Sequence, residues 1–347
     1  MKLDFHTCSL RLAQQWKIAG RKGSNLHEVV IVELTDGDGV AGLGEAAPAA
    51  NYGETTAGVV EFYRRVDAAR LSFEDIPASM AQIDGLAPVP SAARCGLNTA
   101  LMDGAAKRAR KALCDFLNLG FRENHHVTSF SIGIDSTEII RQKVSAAAHY
   151  PVLKLKTGDD PGRDRENLAA LRAVAPNKPV RVDANEGWKT RERALEMLEW
   201  LGGEDGIQFV EQPLPRDADA RDMVWLKQRS PLPLFADESC LSIRDIPRCA
   251  ECFHGVNVKL VKSGGVTAAF EVLRAARQAG LKTMIGCMIE TSVLISAAAH
   301  LAELADYLDL DGNLLITNDP YAGVTAKNGI LSLASAGEQF GLRVSAR

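Results

Sequence analysis

The stretch VLKLKTG, Val152 to Gly158, sets two lysines into what otherwise reads as a buried strand. Its valine, two leucines and threonine suit a pleated, half-buried segment. Lys154 and Lys156 stand two apart, and strand side chains repeat every two residues, so both ammonium groups project from one face. Like charges held side by side are unfavourable, so that face must carry something that compensates them. The plainer reading, an edge strand using lysine against aggregation, is at odds with the apolar flanks.

The same unit recurs along the chain. Strand-like runs stand at 129–134 (SFSIGI), 151–156 (PVLKLK), 179–184 (PVRVDA), 206–212 (GIQFVEQ), 232–238 (LPLFADE), 255–261 (GVNVKLV), 281–287 (LKTMIGC) and 307–312 (YLDLDG). Amphipathic helical stretches such as RERALEMLEWLGG and TAAFEVLRAARQAG lie between them. Eight strands alternating with helices predict an α/β fold, a parallel (β/α) barrel. Upstream, VVIVEL (Val29 to Leu34), the turn TDGDG and VAGLGEAAP predict a hairpin, and Thr55 to about Leu119 reads as helical.

Composition narrows the function classes. The 347 residues carry a formal net charge of −4, with 46% hydrophobic and 24% charged residues, ordinary for a soluble globular protein. No basic excess predicts a nucleic-acid partner, and no apolar run predicts a membrane span. MKLDFHTCSLRLAQQW lacks the apolar core and cleavage site of a secretory leader. Seven scattered cysteines read as reduced thiols, which predicts a cytoplasmic location.

Reactive groups of such barrels gather at the carboxyl ends of the strands. Lys156, Asp183, Glu211, Asp237 and Lys262 end successive candidate strands at steps of 27, 28, 26 and 25 residues, close to one repeating unit. They are expected side by side on one rim, three carboxylates between two lysines. Neighbouring carboxylates repel unless a cation neutralises them, and carboxylate oxygens suit Mg²⁺. Any one acid alone reads as a helix cap or a solvated loop residue; three in register read as a metal site. Lys154 and burial together should lower the pKa of Lys156 and let it act as a base. Lys262 is expected from the far side, so that a carbon between the two could lose a proton on one face and regain it on the other.

VLKLKTG, VDANEGW, VEQP, ADES and VKLVKSGG, in this order, resemble the muconate-lactonising branch of the enolase superfamily. The resemblance implies a (β/α)₇β TIM-like barrel at 126–319 and an α+β capping domain at 1–125 completed by 320–347. It implies Asp183, Glu211 and Asp237 as Mg²⁺ ligands, Lys156 and Lys262 as the acid/base pair, and Lys154 as the residue that tunes Lys156. The shared step is removal of a proton α to a carboxylate. Asp309 and Asp311 in YLDLDG resemble the pair by which dipeptide epimerases hold a substrate ammonium. A dipeptide is therefore the expected small-molecule partner, with no nucleic acid or membrane partner and room for a homo-oligomer. A muconate cycloisomerase or an o-succinylbenzoate synthase would use the same barrel residues without needing the acidic pair. A silent barrel that merely binds a metal carboxylate is a third reading.

In the loop WKIAGRKGSN, Arg21 and Lys22 are either contacts for a side-chain carboxylate or a solvated turn. Tyr52 in NYGET, Met288 and Glu290 complete the candidate substrate contacts. Cys249-x-x-Cys252 has zinc spacing, but no second pair follows and the segment reads as helix, so buried thiols are the simpler reading. Gly264-Gly265 before a helix is weak grounds for a phosphate site.

Overall fold

The structure, a computed structural model, describes all residues except Arg21, Asp159 and 335–337. The chain opens with an antiparallel sheet, β1 (Lys2–Trp16), β2 (Ser24–Thr35) and β3 (Ala41–Ala46), in that order. Asp36 closes the expected hairpin by accepting hydrogen bonds from the N–H groups of Asp38 and Val40. Four helices follow: α1 (Thr56–Arg64), α2 (Ile76–Asp84), α3 (Ser91–Arg108) and α4 (Leu113–Phe116). Thr55 and Asp75 cap α1 and α2 by accepting from the N–H groups of Gly58 and Ala78.

The eight expected barrel strands are present among the described residues. They are β4 (Phe130–Ile132), β5 (Leu153–Lys156), β6 (Val180–Asp183), β7 (Ile207–Glu211), β8 (Leu234–Ala236), β9 (Gly255–Lys259), β10 (Lys282–Gly286) and β11 (Tyr307–Asp309). All pairings in this sheet are parallel, and a bridge between Thr128 and Leu308 joins its two edges. The helices between and after them are α5 (Thr137–Ala146), α6 (Pro161–Val174), α7 (Arg191–Gly202), α8 (Ala220–Arg229), α9 (Ile246–Cys252), α10 (Leu260–Ser263), α11 (Val266–Gln278) and α12 (Ser292–Ala299). Phe209 and Phe235 stack at 4.2 Å in the barrel interior, with Tyr307 edge-on to both. Arg181 lies over the Phe209 and Tyr307 rings and donates to the carbonyl of Leu308. This aromatic cluster packs among β7, β8 and β11 apart from the strand carboxyl ends that carry Lys156, Asp183 and Glu211.

The last segment binds both parts of the molecule. Leu342 N–H donates to Asp103 of α3, and Leu331 N–H to the carbonyl of His126. The glycine pair serves packing: Gly265 sits at φ +121°, and a Cβ there would lie 2.5 Å from Asn98 Oδ1 of α3. That oxygen accepts from Thr267 N–H, so a side-chain amide occupies the start of α11 where a phosphate was considered. Cys249 and Cys252 are buried on α9 as free thiols. No described helix is long and apolar enough to cross a membrane.

Candidate active site

Strand register assembles the site. Lys156, Asp183 and Glu211 are paired neighbours across β5, β6 and β7, and Lys259, Gly286 and Asp309 across β9, β10 and β11. Gly286 leaves space between its neighbours, since a Cβ there would strike the Asn257 amide at 2.6 Å. One oxygen from each of Asp183, Glu211 and Asp237 lies within 4.8 Å of the others, as the strand spacing predicted. All three side chains are buried.

The residues fit a hard divalent cation. The donors are all oxygen, and nearby Asn185 Oδ1 and Glu238 Oε2 are buried acceptors without a hydrogen-bond partner. Burial and then Asp183 push Glu211 up to about 7, while burial and then Asp237 push Glu238 up to about 8. Glu211 stays raised even with the Lys154 ammonium 2.8 Å away, so further positive charge would ease the ionisation of both carboxylates. The ligands are braced from behind. Asn257 Nδ2 donates to Glu211 Oε1 at 2.7 Å, and Gln212 Oε1 accepts from the N–H groups of Asp237 and Ser239, each at 3.0 Å. Asn257, Gln212 and Glu238 escaped the sequence reading. The polar residues inside the motif strands were the available signal.

The lysines require one correction. Lys156 Nζ lies 2.7 Å from Asp183 Oδ2, and Lys259 Nζ lies 2.8 Å from Asp237 Oδ2. Both line a cavity of about 220 Å³ that also meets Asp309, Asp311, Tyr52 and Met288. Lys262, expected here, is on α10 beyond the strand end and does not line that cavity. Its ammonium is spent on Asp237 Oδ1, the Asp237 carbonyl and the Asn257 carbonyl. Lys262 stands three residues beyond Lys259, an odd step that strand alternation would already turn to the other face, and the chain becomes helical after Lys259.

Lys154 meets the compensation expected of its strand face: its ammonium lies 2.6 Å from Asp309, 2.8 Å from Glu211 and 3.2 Å from Asp183. Burial would lower its pKa, but Asp309, Glu211 and Asp183 outweigh that and hold it well above the lysine range. Lys259 is likewise held up by Asp237 against burial.

Asp309 and Asp311 both reach the cavity, and their pKa values move in opposite directions. Burial opposes ionisation of Asp309, but Lys154 overrides it and draws the pKa down to about 2; Ser129 Oγ also donates to it. Burial and then Asp309 push Asp311 up to about 6, against the Ser131 N–H that donates to its Oδ2. Lys22 lines the cavity, and Arg21 lies outside the described residues. Glu290 is not among the lining residues. It accepts from Met288 N–H, and burial and then Glu45 push it up to about 8. A separate hollow of about 250 Å³ between β1 and α5 has no carboxylate in its wall and offers no comparable chemistry.

Residues 138–314 match the family described as enolase C-terminal domain-like. The chain belongs to the enolase superfamily. It is 60% identical to an L-Ala-D/L-amino acid epimerase of Pedosphaera parvula over the whole of both chains. Identity to an L-Ala-D/L-Glu epimerase of Bacteroides thetaiotaomicron is 37%, over 96% of this chain and 85% of that one. The fold superposes on a dipeptide epimerase from Cytophaga hutchinsonii, solved with Mg and the dipeptide D-Ala-L-Val, with a TM-score of 0.91 and 28% identity. That match covers 99% of this chain and 95% of the other.

Proposed function

We propose that this superfamily member is a Mg²⁺-dependent dipeptide epimerase that inverts the α-carbon of the carboxy-terminal residue by two-base 1,1-proton transfer. The observation that carries the reading is one cavity bounded by Lys156, Lys259 and the Asp309/Asp311 pair beside the acidic triad. Free dipeptides have an ammonium for the acidic pair, whereas muconate and succinylbenzoate precursors do not.

Asp183, Glu211 and Asp237 would hold Mg²⁺, which supplies positive charge for the substrate carboxylate and for the charge that develops when its α-proton leaves. Lys156 takes the proton from one face and Lys259 returns it to the other, with the roles exchanged in reverse. Asp183 and Asp237 orient these two ammonium groups by direct ion pairs. Asp311 and Asp309 fix the amino terminus, and Tyr52, Met288 and Lys22 border the space for side chains. The capping region at 1–125 with 320–347 closes the barrel at 126–319. Seven free cysteines fit a reducing cytoplasm. The names of the relatives make L-Ala dipeptides the first substrates to try.

The test is a dipeptide library incubated with enzyme and Mg²⁺ in deuterated water, read by mass gain and chiral analysis. One deuterium at the α-carbon with inversion is expected. Exchange of N-acetylated substrates in preference to free dipeptides would move the assignment to another member of the branch.

A further inference from the structure

Arg216 is neither a triad residue nor a lysine of the site, yet it joins three loops around the cavity. It follows β7 in the run EQPLPR. Its backbone N–H donates to Glu186 Oε1 at 2.7 Å, its Nε to the same oxygen at 3.0 Å, and its Nη2 to Oε2 at 2.8 Å. Glu186 lies three residues after Asp183 at φ +63°, next to Asn185 at φ +42°, and Asn185 lines the cavity. Positive φ is unfavourable for residues with a Cβ, so an external tie is needed to hold this loop in shape. The guanidinium face lies 4.9 Å from the centre of the Tyr52 ring. Tyr52 ends the short 3₁₀ turn Ala50–Tyr52 of the cap and lines the same cavity.

We infer that Arg216 is a positioning residue that latches the Tyr52 turn of the cap to the Asn185-Glu186 loop of the barrel. The arrangement uses both properties that distinguish arginine from lysine, a planar fork matched to a carboxylate and a flat face matched to an aromatic ring. The cap turn is then held over the substrate by a contact whose other end rests on the loop after a metal-ligand strand. The consequence for catalysis rests on the epimerase reading: a loosened turn should weaken substrate binding and leave proton transfer at the lysines nearly unchanged.

The experiment compares the parent with Arg216→Lys, Tyr52→Leu and the double variant, all as Mg²⁺-loaded full-length protein. Amide hydrogen exchange is followed at Tyr52 and Gly53, whose N–H groups are bonded to the carbonyls of Ala49 and Ala50. In Arg216→Lys these amides should exchange on the order of 5- to 10-fold faster, with a similar rise in KM and kcat changed by less than about twofold. The double variant should be no worse than the worse single one. Glu186→Gln should give a smaller shift in the same direction. Unchanged exchange at the turn, or KM effects that multiply in the double variant, would overturn the latch; a lower Tm with unchanged KM would reduce Arg216 to a purely structural role. A parent that turns over no dipeptide would defeat the epimerase reading, while the exchange measurement would still judge the latch.

Discussion

The ammonium of Lys154 lies 2.6 Å from Asp309 Oδ2 and is also paired with Glu211 and Asp183. One buried cation therefore links the acidic pair of YLDLDG to the carboxylate triad, and the two acids of that pair stand in different surroundings. Asp309 is anchored by the Lys154 ammonium, whereas Asp311, bonded to the Ser131 N–H, is the one that would meet a substrate ammonium.

Asp311→Asn should raise KM for a free dipeptide on the order of 10- to 100-fold, the loss of one charge-assisted contact. Asp309→Asn should in addition lower kcat and Tm, because it strips a partner from buried Lys154. The carboxyl of Asp311 is pushed up to about 6, so it loses its charge as pH falls through that value. KM measured between pH 5 and 8 should rise toward the acid side in the parent and stay flat in Asp311→Asn. Equal kinetic defects in the two variants would count against this division of labour.

Asp183→Asn, Glu211→Gln and Asp237→Asn should each weaken Mg²⁺ binding at least tenfold and abolish turnover with the fold intact. Titration calorimetry with Mg²⁺ and far-UV circular dichroism separate the two effects. Chelator should silence the parent reversibly, and full activity in excess chelator would end the metal assignment.

Lys156→Ala should retain α-proton exchange with only one epimer of a substrate and Lys259→Ala with only the opposite one, followed by NMR in deuterated water. Lys262→Met should behave differently. Its ammonium holds Asp237, so the variant should bind Mg²⁺ more weakly yet exchange both epimers once the metal is saturating. If Lys262→Met instead shows the one-epimer pattern, the second base has been misassigned to Lys259.

His300 should govern part of the acid sensitivity. Cys114 N–H donates to its Nδ1, and its Nε2 meets the Leu342 carbonyl, so the neutral ring ties cap, barrel and carboxyl-terminal segment together. Burial lowers its pKa from 6.5 to about 4. The unfolded chain therefore binds the proton more readily between these values, and stability is lost as pH falls from about 6.5 to 4. The ceiling is on the order of 3 kcal/mol. Urea unfolding of the parent and His300→Gln across this window should show a smaller acid loss in the variant; parallel curves would assign the sensitivity elsewhere.

The barrel was legible because its signals are local. Apolar runs, turn residues and helical periodicity recur at the length of one βα unit, and a two-residue alternation alone puts Lys154 and Lys156 on one face. The acidic triad was legible for the same reason. Asp183 and Glu211 end their strands, Asp237 follows its own by one residue, and parallel pairing carries them to one rim.

Which lysine faces Lys156 across the cavity was a tertiary matter. Lys259 and Lys262 stand three apart, and the regular spacing of the other four groups favoured Lys262, but loop lengths vary and the strand gives way to a helical turn after Lys259. The amino-acid sequence by itself determined the fold class and the chemical type of every ligand, because these depend on residue identity and short-range periodicity. Only the tertiary structure decided that Lys259 enters the cavity while Lys262 props Asp237, that Glu290 lies behind the wall, and that the pKa values of Asp309 and Asp311 move in opposite directions. Each of those outcomes depends on side-chain direction, burial and the field of groups from distant strands, and no local pattern encodes them.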